Sequence, residues 1–222
     1  MPFIITSQGI QLDQQFATPS VAVPPGAVLL FADAEGRCSA KMPNGNVLPL
    51  GTVGRRTLYI DGRSFSSRMT GGPGPVKWET ATNKVNLQGI GFDAAVQEYA
   101  QASIAFPKSW DRGALTFQVH WTAASGSGGV AWGLSAVAVS AGESLDAAFG
   151  AEVVVTDTLT ATNCEELTAE STALTVAGNP ALGDMVIFQL SRVVTNASDT
   201  LAADAVPLGV SLFYTMNAGN DT

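Results

Sequence analysis

From residue 114 onward, apolar and polar side chains alternate with a period of two, and that period dictates what the chain can become. Leu115, Phe117, Val119 and Trp121 interleave with Thr116, Gln118, His120 and Thr122. One face of such a segment belongs in a core and the other in water, which is a strand and not a helix. Val130, Trp132 and Leu134 resume the pattern beyond Ser125-Gly126-Ser127-Gly128-Gly129. Further strands are expected at residues 102–106, 130–139, 152–156, 173–176, 185–193 and 208–216. Turn signals such as Gly178-Asn179-Pro180 and Gly183-Asp184 separate them. About eight strands at this spacing predict an all-β fold, an antiparallel β-sandwich of jelly-roll-like form. Residues 144–149 and 200–205 are each compatible with a turn or two of helix, and residues 94–100 fit either structure.

Proline divides the molecule. Eight of the eleven prolines fall within the first 75 residues, and proline is excluded from interior strands. Residues 1–53 therefore read as a proline-rich extended N-terminal arm. Phe3–Thr6 and residues 28–31 are candidate strands, and Asn44-Gly45 is the dipeptide favoured in a tight turn. Residues 37–41 and 47–50 around it predict a small β-hairpin, too small to be stable alone. Gly71-Gly72-Pro73-Gly74-Pro75 marks a loop, so residues 54–85 are expected to be a basic linker and 86–222 the sandwich. Deleting residues 1–53 is expected to leave that sandwich folded.

Charge is scarce and lopsided. Charged residues make up 14% of the chain, against roughly 25% in a typical soluble domain, which leaves surface for a partner subunit to cover. Residues 1–112 carry ten basic and eight acidic side chains, whereas residues 113–222 carry one and eleven. The acidic half argues against nucleic acid, whose phosphates need clustered Lys and Arg. The longest fully apolar window, residues 27–32, is far short of the ~20 residues of a membrane span. With no basic leader and no long apolar stretch, no signal peptide is expected, and synthesis in a cytoplasm without membrane insertion follows. Arg55, Arg56, Arg63, Arg68, Lys77 and Lys84 are either a solvated connector or a basic seam for an acidic surface on another copy or a larger assembly.

Few side chains carry chemistry. Of the four tryptophans, Trp121 and Trp132 are in phase with the core, whereas Trp78 and Trp110 lie beside turns and are candidate ligand platforms. His120, the single histidine, points to the wet face with no nucleophile that spacing can place beside it. Asp157, Glu165, Glu166, Glu170, Asp199 and Asp204 could offer oxygens to Ca²⁺, but without the spacing of a cation loop, so no metal and no cofactor is expected. Arg192, the lone cation of the acidic half, is expected to pair with Asp199 or Asp204 as a structural lock. Cys38 and Cys164 could form a disulfide or remain separate buried thiols. No hydrolase, phosphate-binding or dinucleotide fingerprint is present, so no enzyme is expected.

Two stretches resemble known proteins. Val23-Pro24-Pro25-Gly26, residues 29–33, Gly36, Lys41, Asn44-Gly45 and Leu48 resemble the N-terminal attachment module of tailed-phage fibre and virion accessory proteins. Phe106-Pro107, His120-Trp121, Trp132, Gly183-Asp184, Phe188, Arg192, residues 200–205, Leu208-Gly209-Val210 and Tyr214 resemble a β-sandwich of small virion proteins of marine and environmental phages. The resemblance implies a non-enzymatic structural protein on the virion surface, attached through its N-terminal part and displaying the sandwich outward. A capsid decoration or head-fibre subunit is the first expectation, with the major capsid protein or another virion protein as partner. A receptor-binding tail fibre or carbohydrate-binding module contacting host glycans is the alternative. The same resemblance, with the need to cover sheet edges poor in Lys, implies a homo-oligomer, most simply a homotrimer.

Overall fold

A computed structural model of the chain describes residues 3–6, 9–12, 22–32, 38–49 and 54–216. They divide between Gly54 and Arg55 into two compact units, of which the larger is Arg55–Thr215.

The smaller unit holds β1 (Phe3–Thr6), β2 (Gly9–Leu12), β3 (Leu29–Ala32), β4 (Cys38–Lys41) and β5 (Val47–Pro49). β1 and β2 form one antiparallel pair, and β3-β4-β5 form a second small sheet. The Asn44-Gly45 turn joins β4 to β5. Gly45 takes φ +86°, the left-handed region that glycine enters without strain. The Asn44 side chain accepts the Asn46 N–H at 3.0 Å, an Asx-type closure. Arg37 and Leu50, the outer ends of the expected hairpin, and the Cys38 side chain lie outside the described residues. Cys164 is a free, exposed thiol.

The larger unit is an antiparallel β-sandwich. It contains β6 (Gly54–Asp61), β7 (Ser66–Ser67), β8 (Gly74–Glu79), β9 (Asn86–Gly91), β10 (Tyr99–Ala105), β11 (Thr116–Thr122), β12 (Gly128–Val139), β13 (Val153–Leu159), β14 (Glu166–Leu167), β15 (Met185–Arg192) and β16 (Val206–Met216). One sheet runs β13-β12-β15-β10-β7 and the other β14-β11-β16-β6, with β8-β9 as a separate hairpin. From β10 on, the chain crosses between sheets at almost every step, in the jelly-roll-like manner expected. The only helix among the described residues is a 3₁₀ turn, Gly62–Ser64.

The core lies between the sheets, where alternation put it. Phe117, Val119, Trp121, Trp132, Leu134, Phe188, Leu190, Val210 and Leu212 have no exposed surface. Burial of each large apolar side chain contributes about 1.5–3 kcal/mol. Trp121 and Trp132 meet across the sheets edge to face, 6.4 Å apart. Trp121 Nε1 donates to Asp157 at 3.0 Å, whereas buried Trp132 Nε1 has no hydrogen-bond partner among the described residues.

Several sequence expectations need correction. Residues 54–85 are not a linker: β6 is an outer strand of the four-stranded sheet, and β7 and β8 follow it. The Gly-Pro run leads into β8, whose first two residues are Gly74 and Pro75. The strand was masked because the outward positions of β6 are Arg55, Thr57, Tyr59 and Asp61, which read as a polar connector. Residues 173–176 contribute only the bridge Leu115–Leu174. Proline also enters an interior strand: Pro207 lies in β16, opposite Trp121, where the register slips between His120 and Trp121. A ladder irregularity is where a residue without an N–H is tolerated.

Candidate ligand-binding face

The outward positions of the four-stranded sheet assemble side chains that were scattered in the sequence. β11 presents Thr116, Gln118 and His120, β16 presents Gly209, Ser211 and Phe213, and β6 presents Arg55, Thr57, Tyr59 and Asp61. Period two alone places them together.

At the centre is Tyr59, 52% exposed. Its hydroxyl donates to the Leu208 carbonyl at 2.9 Å. Beneath the ring is Gly209, where a Cβ would stand 2.1 Å from the Tyr59 hydroxyl oxygen and 2.2 Å from the ring carbon that bears it. Only glycine leaves that room. The ring is thus seated on bare backbone and fastened at its tip. Burial of the phenol against the sheet, followed by the nearby charges of Asp61 and Glu165, raises its pKa. A phenol is protonated at neutral pH in any case, so the hydroxyl is a donor there.

His120 stands edge-on to Tyr59 at 5.6 Å. Its Nδ1 lies 2.7 Å from Glu165 Oε1 and its Nε2 lies 3.0 Å from Ser211 Oγ. The connectivity is that of a nucleophile, base and carboxylate, but Ser211 sits in an interior strand. It pairs with Gln118 of β11, and its strand is flanked by β11 and β6. What the arrangement does supply is a fixed imidazole beside an aromatic ring.

One end of this face opens into a cleft of about 350 Å³ lined by Asp61, Arg63, Asn86, Leu87, Gln88, Pro207 and Leu208. Arg63 and Gln88 also line a second cleft, of about 420 Å³, between the 3₁₀ turn and the β8–β9 hairpin. Both volumes lie in the range of small-ligand sites. Asp61 caps the 3₁₀ turn, accepting the Arg63 N–H at 2.8 Å. It also receives Arg63 Nε and Nη2, each at 3.0 Å. Those donors hold the Asp61 carboxyl below the usual carboxylate range and raise the guanidinium pKa in turn. At the opposite end of the face, Arg55 bonds Glu170, donates to Thr116 at 2.5 Å, and lies 4.5 Å above the Phe213 ring. The Glu170 carboxyl is lowered by Arg55 and then by Thr116.

The residues singled out from sequence are distributed as follows. Trp110 is no platform: it is 2% exposed, packed on Phe106 at 4.6 Å, because its turn folds back over the core edge. Trp78 is half-buried, and its Nε1 donates to Asn163 at 2.6 Å, pinning the β8–β9 hairpin to the loop after β13. Among the basic candidates, Lys84 pairs with Glu79 at 3.2 Å and Arg68 lies over the Tyr99 ring at 4.7 Å. Arg56 is exposed on β6. Lys77 is exposed and lines the larger cleft. Arg192 is wholly buried and pairs with Asp199, whereas Asp204 is exposed and takes no part in that pair. The carboxylates of the acidic loops are committed elsewhere: Asp157 to Trp121 and Glu166 to Thr160. Among the described residues no cluster is placed to hold a metal. Sequence reasoning missed Tyr59 and Gly209. The one signal was Leu58-Tyr59-Ile60, an alternation hidden inside a segment read as linker.

No family model and no curated protein matches this chain. Among solved structures, a Paenibacillus cycloisomaltooligosaccharide glucanotransferase complexed with cycloisomaltoheptaose is similar over 68% of this chain and 17% of its own. Its TM-score is 0.38 and its identity 11%. The Arthrobacter globiformis isomalto-dextranase complexed with panose is similar over 75% and 24%, with TM-score 0.35 and 15% identity. The family 11 carbohydrate-binding module of Clostridium thermocellum, in complex with a mixed-linked tetrasaccharide, is similar over 71% and 87%, with TM-score 0.35 and 8% identity. The chain thus spans less than a quarter of the two enzymes. Likenesses this loose carry neither ligand nor activity across.

Proposed function

We propose that the sandwich is a saccharide-binding module without catalytic activity, and that a sugar ring is laid on Tyr59. The observation that carries the reading is the exposed Tyr59 ring, seated on Gly209 and tied to the Leu208 carbonyl. An aromatic face fixed before binding offers contact to pyranose C–H groups at little cost in side-chain entropy. Around it, His120, Gln118, Asp61, Asn86 and Gln88 supply donors and acceptors of the kinds that sugar hydroxyls need. An aromatic side chain over a strand glycine also protects the sheet, and the two roles coexist in one ring.

Fluorescence titration of the full chain against a panel of soluble polysaccharides and their oligosaccharides tests the proposal. Saturable binding is expected, and Tyr59→Ala is expected to weaken it about thirtyfold or more, the size of an interface anchor, with an unchanged circular-dichroism spectrum. A wild-type protein that binds nothing in the panel, or a Tyr59→Ala variant that binds as well as wild type, overturns it. In the virion setting that the resemblance implies, the smaller unit would attach and the larger would be offered to a host glycan. Imaging of labelled particles and light scattering of the purified chain test that setting and the homotrimer.

A further inference from the structure

The second cleft holds a feature that a neutral sugar does not require. Its walls are the 3₁₀ turn, through Arg63 and Phe65, and the β8–β9 hairpin, through Pro75, Val76, Lys77, Gln88 and Ile90. Lys77 and Gln88 are cross-strand partners in that hairpin. Among the other cations of the larger unit, Arg55 is engaged by Glu170, Lys84 by Glu79 and Arg192 by Asp199, while Lys108 and Arg112 pair with no carboxylate among the described residues. Lys77 has no acidic partner among the described residues, though it lines a concave wall. Facing it across the cleft, Arg63 uses Nε and Nη2 on Asp61 and leaves Nη1 without a protein partner among the described residues. Asp61 thereby fixes the guanidinium in place without using all of its donors. A cleft with one pinned guanidinium and one unpaired ammonium is suited to an anion, since each charge-assisted hydrogen bond is worth roughly twice a neutral one.

We propose that this cleft takes the carboxylate or sulfate of an acidic saccharide, so that the ligand class is an anionic polysaccharide. The inference rests on the Tyr59 platform: Arg63 and Gln88 line both clefts, and the smaller one reaches Leu208, whose carbonyl holds the Tyr59 hydroxyl. A chain with one ring on Tyr59 therefore has a continuous path to Lys77. The protein's overall charge of −8 does not forbid this. At physiological salt, charges beyond about 8 Å are largely screened, so the groups lining the cleft decide.

The test is paired titration of the full chain with an oligosaccharide of uronic acids and with the methyl ester of the same oligosaccharide. The ester removes the charge and keeps the ring. The acid is expected to bind about tenfold tighter than the ester at low salt, with the advantage gone near 0.5 M salt. Lys77→Met is expected to abolish the preference while leaving ester binding unchanged, and Tyr59→Ala to weaken both ligands. Equal affinity for acid and ester, with both binding, overturns the anionic subsite and leaves the platform standing. Binding of neither ligand by the folded wild type overturns both. Self-association of the wild type that Lys77→Met abolishes would assign the cleft to the acidic surface of a second copy, and would equally overturn the subsite.

Discussion

Arg192–Asp199 and Arg63–Asp61 are the same two functional groups in opposite settings. Arg192 and Asp199 expose 0% and 2% of their side chains; Arg63 and Asp61 expose 61% and 42%. In the buried pair nothing is left over. Arg192 Nε lies 3.0 Å from one Asp199 oxygen, Nη2 lies 2.9 Å from the other, and Nη2 also bonds the Leu201 carbonyl. Nη1 donates to the carbonyls of Phe92 and Ala203 at 3.2 and 2.7 Å. Asp199 in turn accepts the Ala131 N–H at 3.0 Å. The guanidinium thus replaces a local core, stitching residues 199–203 to β12 and to the end of β9. In the exposed pair, the carboxylate orients the guanidinium through Nε and Nη2, and Nη1 is left over among the described residues. Completeness of hydrogen bonding, more than the presence of an ion pair, separates a lock from a group with donors to spare, the character the proposal assigns to Arg63.

Breaking the lock carries the largest expected effect. Arg192→Met leaves Asp199 charged and three carbonyls short of a donor, so a loss of about 3–5 kcal/mol is expected, read as a large fall in the denaturant midpoint. Arg63→Met in the same measurement is expected to change stability by no more than about 1 kcal/mol. Comparable losses in the two variants would show that the exposed pair is also a lock. Gly209→Ala sharpens the contrast from the ligand side. The new methyl group meets the Tyr59 ring, which can swing outward, so stability falls by about 1 kcal/mol while saccharide binding drops as far as in Tyr59→Ala. A Gly209→Ala variant that binds normally would mean the seat of the ring is unimportant. The smallest effect is in acid. Asp61 and Glu170 both titrate below the ordinary carboxylate range in the folded protein. Their contribution to stability is present above the ordinary carboxylate pKa and is lost as pH falls through the lowered values. Removing both carboxylates, as Asp61→Asn with Glu170→Gln, is expected to flatten this acid limb slightly in a pH series of denaturation curves. An unchanged limb would assign it to other groups.

The sandwich was legible where apolar alternation was strong, as in β11, β12, β15 and the later part of β16. It was illegible in β6 and β8, whose outward residues are Arg, Thr, Lys and Tyr and whose inward ones are too few to register. The Ser125–Gly129 run, glycine-rich between two apolar runs, reads in the sequence as a turn. It is also a contact surface: a Cβ on Gly129 would stand 2.4 Å from the Ser198 carbonyl oxygen, and the Gly129 carbonyl accepts the N–H groups of Thr200 and Leu201. Close approach and flexibility ask for the same residue, so sequence cannot separate them. For Arg192, charge economy led to the right kind of partner but not to a choice between two carboxylates. The proposed binding face was missed because its parts come from three strands distant in the chain. Neither Tyr59 nor Gly209 is unusual until β6 and β16 are neighbours.

That adjacency also fixes an order of events during synthesis. β16 lies between β11 and β6, yet the ribosome makes it after every other strand of the sandwich. Until then β6 has no neighbour in its sheet and β11 has one open side, so two sticky borders stay available to any chain nearby. Most of the closure of this sheet is deferred to long-range pairing, which is slow and exposed to misassembly. A nascent chain stalled before Val206 would lack the seat for Tyr59 as well as the centre of the sheet, so the proposed platform and the completed fold would arrive together.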